Sequence, residues 1–292
     1  MIVWLASYPK SGNTWLRNII GQFFEKDFNK DKVFERSKKI RVYPSKIDYL
    51  EVDKIFNSKV FLHEQKKEIL EKTIMNWSLS QAKINLNNDT NYFKTHNMLC
   101  KIKVNDKLYP FTDIENSIGV IHIVRDPRNI LTSLKNHFSF IDDQSVLRFM
   151  MNEDQTTGLD ENKVPQLISS WKNHYNSWKR FPKNNILFKY EDFLFDTKNQ
   201  ILRLADYINN FTKISISDYD IDKIIVNTSF ENLKRLEAQG KFDESSINKK
   251  TGETKTFFKM GLKNDWKKLL NNDSRSLIEK KFKQEMIELG YL

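Results

Sequence analysis

Three side chains in this sequence are of types that handle anions and protons, and each stands at the end of a stretch that reads as a strand. Lys10 lies in the segment 7–13 (SYPKSGN), just after the apolar run 2–6. Arg125 closes the apolar run 118–124 (IGVIHIV). His96 ends the triplet Lys94-Thr95-His96, which follows Tyr92 and Phe93. In open α/β sheets the carboxyl edge of the strands is where ligands bind, and a helix starting there offers free N–H groups to an anion. A lysine and an arginine at that edge suit a phosphate. A histidine is a proton carrier near neutral pH.

The elements that must position them are read from periodicity. Residues 2–6 form a short apolar run, as expected of a parallel strand covered on both faces. Segment 7–13 has the Pro, Gly and small polar residues of a tight loop. From Thr14 the apolar positions Trp15, Leu16, Ile19, Ile20, Phe23 and Phe24 recur at helical spacing. Such a turn aims free N–H groups at one point, with the helix dipole favouring negative charge there. The loop is not a Walker loop: Lys10 precedes Gly12, no glycine opens the loop, and the pattern G-x-x-x-x-G-K-[ST] is not met. A relative of the P-loop that holds a phosphate without a metal is expected. An ordinary strand–turn–helix carrying a surface lysine is the competing reading. Asp126 followed by Pro127 is a helix start, with Ile130, Leu131, Leu134 and Phe138 as its apolar stripe. A nucleoside triphosphatase places a magnesium-holding Asp at such a strand end. Here Arg125 stands there and Asp126 follows, which favours binding by charge.

The remaining chain alternates in the same way. Segment 27–46 reads as a polar loop, 55–85 as mostly helix, 87–91 as a turn and 141–163 as an acidic flap with a short helix at 146–151. Helices are expected over 166–181, 197–209, 221–239 and 274–289, the last stopped by Gly290, with a strand over 185–190 and a polar loop over 240–256. Strands alternating with helices make a mostly parallel sheet covered on both sides: a P-loop-like, three-layer α/β/α single domain over 1–292. The 292 residues, 39% hydrophobic, suffice for a core of that size. The net charge of +10 fits a polyanionic ligand, nucleic acid or an anionic membrane without choosing among them. Cys100 is the only cysteine, so an intrachain disulfide and a thiolate metal cage are excluded. The N-terminus lacks a basic n-region, and no segment approaches the ~20 apolar residues of a membrane span. A cytoplasmic protein without stable membrane insertion is expected.

Six motifs lie in one order: YPKSGNTW, KTH, VRDPRNILTSLKNHF, KYEDF, NTSF and FFKMGLKNDW. In this they resemble the soluble, small-molecule sulfotransferases that use 3′-phosphoadenosine-5′-phosphosulfate (PAPS), over nearly the whole chain from Tyr8 to Trp266. The resemblance implies a sulfonate transfer to a hydroxyl or amine of a small-molecule acceptor, with PAPS as donor, 3′,5′-adenosine bisphosphate (PAP) as product and no metal. It implies that Lys10, Ser11, Gly12, Asn13 and Thr14 cradle the 5′-phosphosulfate and that Trp15 stacks on the adenine. Arg125 and Ser133 match the 3′-phosphate pair. Tyr190, Thr228 and Phe230 fall on the adenine side, and Phe257, Lys259, Met260 and Gly261 on the C-terminal nucleotide loop. His96 takes the position of the catalytic base and Lys94 that of the nearby catalytic lysine. Lys10 would neutralise charge growing on the bridging oxygen, and Ser133 belongs to the same catalytic set.

The chain departs from the family pattern in places. Lys259-Met260 stands where Arg-Lys is usual, which removes a cation and a bidentate guanidinium. A weaker 3′-phosphate grip is expected, or compensation by Arg128, a residue type that at a helix start is otherwise a solvated charge. Asn264 replaces a glycine before Asp265-Trp266. The family's dimer motif is not recognisable in 267–276, so no oligomeric state is assigned. The acceptor pocket is expected within loops 32–49, 77–88, 137–164 and 236–256, with Tyr43, Trp77, Phe138 and Phe140 as aromatic walls. Two rival readings are a magnesium-dependent P-loop small-molecule kinase and a basic module binding nucleic acid or anionic lipid. The dispersed charge and the lysine placed before glycine disfavour both, so no nucleic-acid partner is expected.

Overall fold

The structure is a computed structural model, describing residues 1–38, 40–42, 63–84, 89–157, 166–245 and 255–292. The expected positions Tyr43, 43–49, 55–62, 85–88, 158–165 and 246–254 lie outside the described residues.

In chain order the main elements are β1 (Ile2–Ser7), α1 (Asn13–Phe23), α2 (Val33–Ser37), β2 (Arg41–Val42), α3 (His63–Ile84), β3 (Asn91–Thr95), β4 (Lys101–Val104), β5 (Lys107–Pro110) and β6 (Ser117–Val124). There follow α4 (Pro127–Phe138), α5 (Asp143–Met151), β7 (Thr156–Thr157), β8 (Gln166–Leu167), α6 (Trp171–Lys179), β9 (Asn185–Lys189), α7 (Tyr190–Phe195), α8 (Thr197–Asn209), α9 (Asp218–Asn227) and α10 (Phe230–Ala238). The chain closes with α11 (Trp266–Leu269), α12 (Asn272–Lys281) and α13 (Lys283–Glu288). The central sheet has the order β2-β3-β1-β6-β9. The pairs β1–β3 and β2–β3 run parallel, with Ile2 opposite Asn91 and Ala6 opposite Thr95. The α/β architecture expected from the sequence is the one adopted.

The chain forms two compact units. The first comprises Met1–Tyr8, Arg41–His122 and Met150–Leu187. Its sheet is built around β1, whose six residues are all buried, as a continuous apolar run requires. Its core gathers Trp4, Trp77, Phe93, Phe111, Val120, Trp178 and Phe181. The three indoles of this core keep their N–H groups bonded: Trp4 donates to Ser117 Oγ at 2.8 Å, Trp77 to the Phe111 carbonyl at 2.6 Å and Trp178 to the Asn97 carbonyl at 2.8 Å. Burying a bonded indole adds apolar area without the penalty of an orphaned donor. Trp77 is therefore a core residue, 2% exposed, and not the pocket wall expected of it.

The second unit comprises Pro9–Ile40, Ile123–Phe149 and Phe188–Leu292. Its helices follow the expected signals where those were strong. Asp126 caps α4 by accepting from Arg128 N at 2.9 Å, and Pro127 takes the first helical position. Ile201, Leu204, Ala205 and Ile208 form the buried stripe of α8. Gly290 adopts φ 71° after α13.

Several expectations are corrected. Segment 27–46 is not merely a loop: it holds α2, with Val33 and Phe34 buried, and β2. The helix expected over 166–181 begins only at Trp171, where Ser170 caps it by accepting from Asn173 N. The helix expected over 221–239 is two helices, because Ser229 caps α10 through Asn232 N and so ends α9. The closing helix likewise breaks at Phe282. The hairpin β4–β5 was not expected at all. Its turn residues Asn105 and Asp106 have φ 47° and 65°, the paired positive values of a type I′ turn.

Candidate functional site

Within the second unit, the loop from Lys10 to Gly12 is bent by two residues with positive φ, Lys10 at 68° and Gly12 at 102°. Gly12 precedes α1 and its carbonyl accepts the first helical hydrogen bond, from Leu16 N at 3.1 Å. Among the described residues, no side chain caps this end. The N–H groups of the first turn have no intrahelical acceptor, a property of any helix start. A side chain at Gly12 is excluded by packing: a Cβ there would lie 2.5 Å from Tyr190 Cδ2 and 3.3 Å from Ile123 Cδ1.

Tyr190 is the hub of the cluster. The Arg125 guanidinium carbon lies 4.1 Å from its ring centroid. Trp15 meets the same ring edge-on at 5.6 Å and also packs on Phe193. Arg125 is buried, and its Nη1 donates to the Lys10 carbonyl at 3.1 Å, which ties the strand-end arginine to the loop. The structure thus brings Lys10, Gly12, Trp15, Arg125 and Tyr190 together. Two buried polar atoms of this set, Arg125 Nε and Trp15 Nε1, and one of the loop itself, Ser11 Oγ, have no hydrogen-bond partner among the described residues. Buried donors without partners are rare and costly, so such a cluster marks where a polar ligand belongs. A phosphorylated nucleotide fits this donor set: two cationic side chains, a helix start and a glycine admitting close backbone approach.

The C-terminal loop closes on this cluster from within the same unit. Lys10 Nζ sits 3.8 Å from the centroid of Phe257. The Phe230 ring lies against Gly261, where a Cβ would come within 2.8 Å of it. Met260 Sδ accepts from Asn136 Nδ2 at 3.1 Å, and Lys259 is exposed. Asn264, the residue replacing a glycine, pins the loop to α4: its Oδ1 accepts from Thr132 Oγ1 and its Nδ2 donates to the Asn129 carbonyl at 3.0 Å. Ser133 is half-buried on α4. Thr228 is buried, its hydroxyl donating to the Ile224 carbonyl at 2.8 Å. Asn13 is buried and Thr14 half-buried at the start of α1.

Arg128 departs from both of its expected roles. It is buried, its guanidinium donates to both oxygens of Asp126 and to Glu279 Oε1, and Nη2 also donates to the Tyr291 carbonyl at 2.8 Å. Its guanidinium carbon lies over the Trp266 ring, 3.9 Å from the centroid. It is neither a solvated helix charge nor a spare cation for a phosphate. The circuit closes through Glu191, which accepts from Asp126 N at 3.0 Å and from Tyr291 Oη at 2.9 Å. Burial pushes the Glu191 carboxyl above its ordinary pKa, against the pull of the Asp126 N–H and the Arg125 charge.

In the first unit, His96 follows β3 and is half-buried. Its Nδ1 lies 2.7 Å from the Ser7 carbonyl and 3.1 Å from Ser7 Oγ. A carbonyl only accepts, so Nδ1 carries the proton, and in the neutral ring Nε2 carries the lone pair. Lys94 is half-buried in β3, opposite Leu5 of β1. Behind His96 lie two fully buried imidazoles. His174 hydrogen-bonds to the His96 backbone and meets the Tyr8 ring edge-on at 5.6 Å. His122 stacks on Tyr175 at 5.9 Å. Burial holds both neutral, with His122 pushed down to about 3 and His174 well below its usual value. Ser7, Glu191 and Asn264 were not singled out as site residues. Ser7 acts largely through its backbone carbonyl, which no residue-type pattern announces.

A strand–loop–helix with a cationic strand end, a glycine-bent loop and unpartnered buried donors defines a P-loop-like α/β protein that binds an anion. The sulfotransferase domain family matches residues 2–290. Mouse Sulfotransferase 1E1 is 23% identical over 296 residues, covering 97% of this chain and 82% of that protein. Among solved structures, mouse sulfotransferase SULT7A1 complexed with PAP is similar at a TM-score of 0.57 and 18% identity, over 97% of this chain and 83% of that one. Retinol dehydratase in a complex with retinol and PAP is similar at a TM-score of 0.59 and 18% identity, over 98% and 81%. The chain belongs to the sulfotransferase family, whose members take their sulfonate from PAPS.

Proposed function

We propose that this chain transfers a sulfonate group from PAPS to a hydroxyl or amine of a small molecule, with His96 as general base. PAPS supplies an activated sulfonate whose leaving group is PAP. The cluster of Lys10, Gly12, Arg125 and Tyr190, with the unpartnered Ser11 Oγ and Arg125 Nε, is the observation that carries the reading. Lys10, the first-turn amides of α1, Ser11, Asn13 and Thr14 would hold the phosphosulfate. Arg125 and Ser133 would hold the 3′-phosphate, and Trp15, Tyr190, Thr228 and Phe230 the adenine. Phe257, Lys259, Met260 and Gly261 would complete the nucleotide site. Positioning and charge stabilisation supply most of the rate in transfers of this kind. His96 Nε2 takes the proton of the attacking group, the Ser7 carbonyl holding the ring in the tautomer that can accept it. Lys94 assists as a second cation.

The acceptor reading rests on aromatic side chains of the second unit. Phe138, Phe140 and Phe149 lie with centroids 5.6–5.8 Å apart. An acceptor with an apolar or aromatic body suits that surface. Among the described residues, no helix is long and apolar enough to cross a membrane.

Thermal shift in the presence of PAP, of ATP with magnesium and of short DNA tests the donor assignment. Ligand at one hundred times its dissociation constant adds about 2.7 kcal/mol to stability. A shift with PAP alone, without metal, is expected; a shift with ATP–magnesium or DNA and none with PAP overturns it. His96→Ala should lose about 10²–10⁴ in turnover with PAP affinity unchanged. Normal turnover in that variant removes His96 from the base role.

A further inference from the structure

Glu237, at the end of α10, serves neither the fold's core nor any role assigned above. Its Oε1 accepts from Phe257 N at 2.5 Å and from Ser245 Oγ at 3.1 Å, and its Oε2 accepts from Phe258 N at 3.0 Å. One carboxylate thus satisfies two consecutive backbone donors of an irregular segment. At the other end of the same helix, Phe230 fills the space beside Gly261. The segment 257–261 is therefore fastened to α10 at both ends. What it presents between those fastenings is the Phe257 ring, which carries Lys10 Nζ on its face.

We propose that Glu237 is a positioning residue of the donor site, holding Phe257 so that its ring sets the place of the Lys10 ammonium. The inference rests on the donor reading given above and assigns this chain's own mechanism for orienting its loop lysine. A carboxylate is required by the pattern of donors. Glutamine offers one oxygen and one NH2 group, so one of the two backbone N–H groups would face another donor. Aspartate keeps both acceptors at the cost of one methylene of reach. Hydrogen bonds to a charged acceptor are the strong class, and losing them at a buried backbone leaves donors unmet.

The test compares wild type, Glu237→Gln and Glu237→Asp by calorimetric titration with PAP and by steady-state kinetics with PAPS. Glu237→Gln is expected to weaken PAP binding and raise the donor KM by about tenfold, with the acceptor KM unchanged and aspartate recovering most of the loss. In a cycle with Lys10→Met, the effect of Glu237→Gln should largely vanish, because the lysine it positions is gone. Wild-type PAP affinity in Glu237→Gln overturns the positioning role while leaving the donor reading intact. Equal losses with and without Lys10 overturn it as well. Absence of PAP binding to the wild type is a failure of the donor reading instead. If Glu237→Gln does not fold, Phe257→Leu decides, since it keeps the backbone donors and removes the ring: unchanged PAP affinity there overturns the proposal.

Discussion

Substituting Gly12 by alanine perturbs the site at the point where its parts touch. Two separate costs arise. Gly12 has φ 102° and ψ 11°, a region disfavoured for a residue with a Cβ by about 1–2 kcal/mol. The new methyl also lands 2.5 Å from Tyr190 Cδ2, roughly an ångström inside ordinary contact, and forcing the ring away costs about 1–3 kcal/mol as overpacking. Together these give ~2–5 kcal/mol, which for a chain of this size is a fall in Tm of roughly 3–8 °C. The displaced ring is the one under the Arg125 guanidinium, a contact worth about 0.5–2 kcal/mol, so PAP affinity should fall by about 2- to 30-fold in Gly12→Ala. Calorimetric unfolding and PAP titration read the two effects separately. In a Tyr190→Ala background the clash is absent and the backbone strain is not, so Gly12→Ala should there cost only about 1–2 kcal/mol of further stability. Wild-type Tm and affinity in Gly12→Ala would refute the packing argument, and no cost of Gly12→Ala in the Tyr190→Ala background would refute the strain argument.

Two further outcomes follow from the charges. Arg128→Met leaves Asp126 buried without its guanidinium and should cost about 3–5 kcal/mol of stability, read by chemical denaturation. Arg125→Met should instead weaken PAP binding, and a larger affinity loss in Arg128→Met than in Arg125→Met would reverse the assignment of the two arginines. Acid should also destabilise the fold through His122 and His174. Unfolded, each ring titrates near 6.5; folded, burial keeps each unprotonated well below that. The unfolded state therefore binds more protons below pH 6.5, and stability falls with pH by about 2 kcal/mol per ring between pH 7 and pH 5. His122→Gln should remove about half of that slope in a pH series of denaturation midpoints, and an unchanged slope would show that His122 does not titrate on unfolding.

The strand–loop–helix around Lys10 and the start of α4 at Asp126-Pro127 were legible because each is a local signal: a period, a cap, a proline. The hairpin β4–β5 was missed because its strands are four residues long, too short for alternation to register. Its trace was Asn105-Asp106, two residue types that tolerate positive φ. The division of α9 from α10 hid behind continuous apolar spacing from Ile221 to Leu236; the signal present was Ser229 three residues before Asn232. Of the partners of Arg128 only Asp126 is local. The others, Glu279, Tyr291 and Trp266, lie more than 130 positions away, and nothing local distinguishes a helix-start arginine facing water from one facing them. Trp77 failed for a related reason: an aromatic at a helical position looks the same whether it lines a pocket or donates its N–H into a core.

The C-terminal loop shows how a departure from a family's pattern is absorbed by structure. Relative to that pattern the loop loses a cation at Met260 and gains a side chain at Asn264. Met260 accepts a weak hydrogen bond from Asn136, and Asn264 bonds Thr132 and the Asn129 backbone. Both attachments go to α4, the helix that also carries Ser133 and begins just after Arg125. At its other side the loop is held by Glu237 and by Phe230 on α10. A loop attached to two helices loses little freedom when an anion arrives, whereas a mobile one must be ordered at a cost of about 0.5–1.5 kcal/mol for each immobilised flexible side chain. Losing a charge-assisted contact costs a comparable amount. Attachment can therefore offset the missing cation without restoring it, and the strength of the donor site depends as much on what the loop is bound to as on the charge it carries.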